Sequence, residues 1–209
     1  LIDRAETDFF MWMGAHDLLS ETYIEQCVNI LDDDHNAVLA YHKAVFFEET
    51  ISKLEKLTYS EIDTKNLSTT FRLNKIVNVT GSCTAIHGVF RTDVAKKLPF
   101  EKMIGPDHLM LFATAAQGHI RQIDTVGFFR RDVHKHETIA QRRQRYEQFK
   151  MFTPKRLSPS ILFAKKHIHY TFKFRQLNIF SKLFVSLNIM FRVSANYVIF
   201  EVLKLKNNN

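Results

Sequence analysis

Cysteine is nearly absent from this chain of 209 residues. Cys27 and Cys83, each inside an apolar run, are too few for a disulfide framework and read as buried free thiols of a reducing, cytoplasmic setting. Glycine occurs only at 14, 81, 88, 105, 118 and 127, and proline only at 99, 106, 154 and 159. That excludes collagen-like and low-complexity chains. Long uninterrupted apolar runs are missing too: Asn188, Arg192, Asn196 and Glu201 break the most hydrophobic stretch, which disfavours a spanning helix. No secretory signal pattern is visible at the start. Acidic residues are scarce in one region only. Residues 151–209 hold ten Lys/Arg against Glu201 alone, a net +9, while residues 1–150 hold nineteen against twenty-one, a net −2, together the formal +7.

What is present is globular: 45% hydrophobic and 24% charged residues suffice to bury one sizeable core. Glycine and charge divide the chain near residue 137 into an α/β body, 1–137, and a basic helical tail, 138–209. In the body, DFFMWM (8–13) reads as a buried strand ended by Gly14. Ser20 is placed to cap a helix whose inner face is Ile24, Cys27, Val28 and Leu31. AVLAYHKAVFFEE reads as a second strand, and SCTAIHGVF as a third with a glycine break. A helix over about 92–98 follows, and another opens at Pro106-Asp107 and stops at Gly118. IRQIDTVGFF is the last alternating strand.

The strand-to-loop passage FFMWMGAHDLLSETYI sets His16 and Asp17 at the carboxyl end of a strand, where open α/β sheets bind ligands. The plain alternative is that the pair caps a helix. This passage resembles the metal-site strand of family 2 glycosyltransferases of the GT-A fold, in which an apolar strand ends in an acidic cluster. Gly14 and His16 stand where that family has its two preceding acids. The stretch GVFRTDVAKKLPFEKMIGPDHLMLFATAAQG is similar to the family's acceptor half, with Pro106 in place of a Glu, and FFRRDVHKHE to its closing strand.

The resemblance, over roughly residues 1–135, implies a partial GT-A domain: a Rossmann-like mixed sheet with flanking helices. It implies a carboxy-terminal portion whose nucleotide-binding segment is missing. The implied activity is hexosyl transfer from a nucleotide sugar, a UDP-sugar foremost, to a surface-polysaccharide or lipid-linked glycan acceptor, with inversion. A divalent cation, manganese or magnesium, would be held by Asp17 with His16 and His134 as softer ligands. Asp107 would be the general base and Arg130 or Arg131 the diphosphate clamp. The plain alternatives are an ordinary helix start at Pro106-Asp107 and surface histidines. The rival for the whole chain is a non-catalytic remnant or a membrane-associated partner protein.

In the tail, QRRQRYEQF reads as an exposed basic helix, and Phe184, Leu187, Phe191, Ala195, Val198 and Val202 form a helical stripe. With KKHIHYTFKFRQLNIFSKLF upstream, this pattern suits helices on an anionic membrane face, placing the chain peripherally at the inner face of the cell membrane. Packing of the stripe on the body is the alternative. Basic residues interleaved with aromatics also occur in single-strand nucleic-acid binders, but no recognised nucleic-acid module surrounds them.

Overall fold

The computed structural model describes residues 2–47, 54–55, 62–78, 83–103, 105–131, 137–138, 141, 144–145, 148 and 159–207, with 54–55 and 196–207 as backbone alone. The fold is mixed α/β. Strands β1 (Phe9–Met11), β2 (Leu18–Leu19), β3 (Ala37–Phe47), β4 (Leu54–Glu55), β5 (Val89–Arg91) and β6 (His119–Arg131) form one sheet in the order β1-β5-β3-β6-β2, with β4 beside the end of β3. β5 lies antiparallel between β1 and β3, and β6 runs parallel to β3. β1, β3 and β6 therefore point the same way and end on one edge.

β3 is buried along almost its whole length, as a central strand covered on both faces must be. Its alternate residues serve two cores. Ala40 and Ala44 meet Tyr23, Cys27 and Leu31 of α1 (Tyr23–Asp33). Leu39 and Tyr41 face a larger core formed with α2 (Thr69–Asn78) and α4 (Pro106–Gln117). α3 (Thr92–Ala95) is a single turn. Beyond Pro159 the chain forms α5 (Pro159–Lys173) and α6 (Ile179–Asn207), which pack on α4 and α2 respectively. Leu162, Leu177, Val185 and Ile189 enter the same core as Leu73, Ile76, Leu109 and Phe112.

Several local expectations change. Ile24 is exposed and Tyr23 takes the buried position at the start of α1. The helix opens after Thr22 without a side-chain cap, and Ser20 contributes only its carbonyl, accepting from the Tyr23 amide at 3.1 Å. Thr84–His87 is a 3-10 turn, so only Val89–Arg91 of the expected third strand is extended. At Gly88, between the turn and β5, a Cβ would lie 2.5 Å from the Ala40 carbonyl oxygen, so the glycine lets the backbone approach β3 closely. α3 ends at Ala95 rather than Leu98. Phe184, Leu187 and Phe191 are exposed, and α6 packs through Val185 and Ile189 instead. Most of QRRQRYEQF lies outside the described residues.

Candidate active site

Four elements deliver side chains to the edge where β1, β3 and β6 end. The loop after β1 carries Asp17, the 3-10 turn before β5 carries His87, the first turn of α4 carries Asp107, and the last residues of β6 are Arg130 and Arg131. The α4 start reaches this edge because its other end leads directly into the beginning of β6. Carboxyl edges of parallel strands are the usual ligand position in open α/β sheets, since loops there diverge and leave a crevice.

Asp17 is only 6% exposed. Its Oδ1 accepts the backbone N–H of Arg131 at 3.0 Å, and its own amide donates to the Gly14 carbonyl at 3.2 Å. The turn 14–17 is therefore tied to the end of β6 by the carboxylate itself. Gly14 is part of the fit, because a Cβ at that position would stand 2.5 Å from Asp17 Oδ2. The glycine where the resembled family has an acid thus makes room for the carboxylate that is present.

His87 is held from three sides. Its Nδ1 donates to the Trp12 carbonyl at 3.1 Å, its carbonyl accepts the Tyr23 hydroxyl at 3.0 Å, and its ring stacks on Phe128 with centroids 5.1 Å apart. A carbonyl only accepts, so Nδ1 carries the proton of the neutral ring and Nε2 is the acceptor. Burial lowers the His87 pKa first, opposed by the Trp12 hydrogen bond; Arg130 lowers it further, while Asp17 and Asp107 raise it. Asp17, Asp107 and Arg130 thus all lie within electrostatic reach of one imidazole. The neighbouring Cys83 thiol is pushed up to about 12, chiefly by burial and then by Asp107, with Arg130 opposing. At neutral pH it is a protonated thiol, not a nucleophile.

Asp107 is exposed, and among the described residues its carboxylate takes no hydrogen bond or ion pair. It is not spent on capping α4, whose N-cap is Gly105. Arg130 is half-buried with its guanidinium 5.4 Å from the Phe46 ring centroid, within cation–π range of that ring. Arg131 serves Asp17 through its backbone, and its guanidinium lies 5.1 Å from the Phe47 ring centroid.

His16 is exposed beside Asp17, and His134 lies outside the described residues. Among the described residues no group of three or more His, Cys, Asp or Glu could hold a metal ion. Beyond the Arg131 bond Asp17 keeps one carboxylate oxygen, a hard donor of the kind that divalent cations prefer. Sequence reasoning missed His87, whose only signal was its place directly before a glycine in an apolar run. No protein-family model matches this chain, and no curated protein is significantly similar to it.

Proposed function

We propose that this edge is the site of a glycosyltransferase that moves a sugar from a nucleotide-sugar donor, a UDP-sugar foremost, to a surface-polysaccharide or lipid-linked glycan acceptor with inversion. The observation that carries this is the delivery of Asp17, Asp107 and Arg130, from three separate elements, to the edge where β1, β3 and β6 end, with Asp17 tied to the Arg131 N–H at 3.0 Å. The mixed sheet with β5 antiparallel between β1 and β3 is compatible with a partial GT-A domain. In this reading Asp107, exposed and without a hydrogen bond among the described residues, takes the proton of the acceptor hydroxyl as that oxygen attacks the anomeric carbon. Arg130 offers paired donors to the departing diphosphate. Asp17, with one oxygen fixed by the Arg131 N–H, would offer the other to a cation carried on the diphosphate. A bound divalent cation would supply charge neutralisation on the leaving group.

The test is titration of a UDP-sugar into the folded chain with manganese, followed by a transfer assay. Expected is cation-dependent binding that is lost in Asp17→Asn and weakened in Arg130→Ala. Asp107→Asn is expected to bind the donor normally and lose about 10²–10⁴-fold in transfer. Wild-type turnover in the Asp107 and Asp17 variants would remove the assignment.

A second reading, a non-catalytic remnant or partner protein, is favoured by one observation. The Asp17 carboxylate is turned onto Arg131 N–H and Gly14, without acids at 14 and 16 to assist it. Absence of cation-dependent donor binding by a well-folded chain selects that reading.

A further inference from the structure

α6 is apolar on two opposite faces. Val185 and Ile189 point inward and are fully buried. On the other side, Phe180, Phe184, Leu187 and Phe191 are 79%, 54%, 66% and 73% exposed. Their spacing, i, i+4, i+7 and i+11, lines them along one ridge of a helix. Leu183 and Met190 flank the ridge and are also exposed. An ordinary surface helix places polar residues there. With about 200 Å² per large apolar side chain and half or more of each open, the ridge presents on the order of 600 Å², at the upper limit of what an ordinary monomer leaves to water.

Lys182 Nζ, on the side of α6 away from the ridge, donates to the Phe172 carbonyl at 3.1 Å, which sets the first turn of α6 beside the end of α5. Lys165, Lys173 and Arg175 are exposed on α5 and the turn that follows it. No described helix is long and apolar enough to cross a membrane.

We infer that the outer face of α6, with the end of α5, is a docking surface for an anionic lipid bilayer, on which α6 lies flat with its phenylalanine ridge in the interface. Charge selects this occupant. Residues 159–195 carry six Lys/Arg and no acid, with Lys165, Lys173 and Arg175 exposed; a second copy of this surface would be repelled, whereas anionic headgroups compensate the charge. The inner face is already used against α2, so lipid burial requires no unfolding and inserts only the ridge. Docking here does not require sugar transfer, and the two are tested apart.

The experiment is flotation of the full chain with vesicles of equal parts phosphatidylglycerol and phosphatidylcholine, and with phosphatidylcholine vesicles alone. The chain is expected to float with the mixed vesicles, at least about tenfold more weakly with the neutral ones, and less as salt rises. The double variant Phe184→Ser, Phe191→Ser should lose at least about tenfold of the binding while keeping its circular dichroism and melting temperature, because both rings are exposed. As a positive marker, Leu187→Trp fluorescence should shift to the blue on addition of mixed vesicles. Failure of the wild-type chain to float at low salt overturns the proposal, as does undiminished flotation of the double variant. So does a concentration-dependent dimer of wild type that the same two substitutions abolish.

Discussion

At the scale of single residues, the site depends on one carboxylate that has been given an unusual neighbour. Asp17 reaches the Arg131 amide because nothing stands at position 14 but a hydrogen. A methyl group there must push the carboxylate away and break a hydrogen bond to a charged acceptor, worth about 1.5–3 kcal/mol. Gly14→Ala is therefore expected to destabilise the chain by that order in urea titrations, and to add little in an Asp17→Ala background. Equal losses in both backgrounds would show that the strain lies elsewhere. The sequence pointed to this loop through its apolar strand and its His-Asp pair. It could not reveal that Gly14 and Asp17 are partners, since that depends on the return of β6 more than a hundred residues later. His87 was hidden for the same reason: its anchors, Trp12, Tyr23 and Phe128, lie on three other elements.

At the scale of elements, α5 is fastened to α4 by a histidine pair. His167 donates from Nδ1 to the Phe163 carbonyl at 2.8 Å, and its Nε2 meets His108 Nδ1 at 3.0 Å. Burial pushes His108 down to about 4 and His167 down to about 3, the second lowered further by His108. Both folded values lie below the unfolded value near 6.5, so the unfolded chain binds more protons as the pH falls. Stability from keeping the pair neutral is whole above about pH 6.5 and declines below it, by roughly 1.4 kcal/mol per histidine per pH unit, until the folded values are reached. Urea midpoints measured from pH 7 to 4 should show this slope, and His108→Phe combined with His167→Leu should flatten it. Burial also lowers His42 and His87, which keeps part of the slope in the variant. An unchanged slope would mean that the pair is not neutral at pH 7.

Helix ends were readable where backbone chemistry marks them, as at Pro106 and Gly118 around α4. Helix faces were less so. A period-3.6 pattern finds an apolar line, but α6 has two, and only the partner surface on α2 decides that Val185 and Ile189 turn inward. At α1 the same limit exchanged Ile24 for Tyr23, which is drawn in because its hydroxyl finds the His87 carbonyl.

At the scale of the whole molecule, the order of elements was legible while their neighbours in the sheet were not. Phe10 pairs with Phe90 across eighty residues of sequence, and no local pattern encodes that register. Nor does the drop in glycine and acid content after residue 137 mark a break in packing. Lys166 and Tyr170 of α5 both bond to Glu101, Gln176 donates to the Ala116 carbonyl at 2.7 Å, and Asn188 of α6 donates to Asn74 of α2 at 2.7 Å. Beneath these polar contacts Leu162, Leu177, Val185 and Ile189 share the main core, so removing apolar volume at the far end of the chain should be felt throughout. Ile189→Ala is expected to cost about 2–5 kcal/mol, and to do so by shifting one transition rather than creating a second. Trp12, the single tryptophan, reports on the body from beside Phe90, with centroids 5.0 Å apart, whereas far-ultraviolet circular dichroism is weighted by the helices. Coincident urea curves from the two probes, moving together in the variant, are the signature of one cooperative unit. A helical transition that separates from the Trp12 transition would mean that α5 and α6 fold on their own account and only rest on α2 and α4.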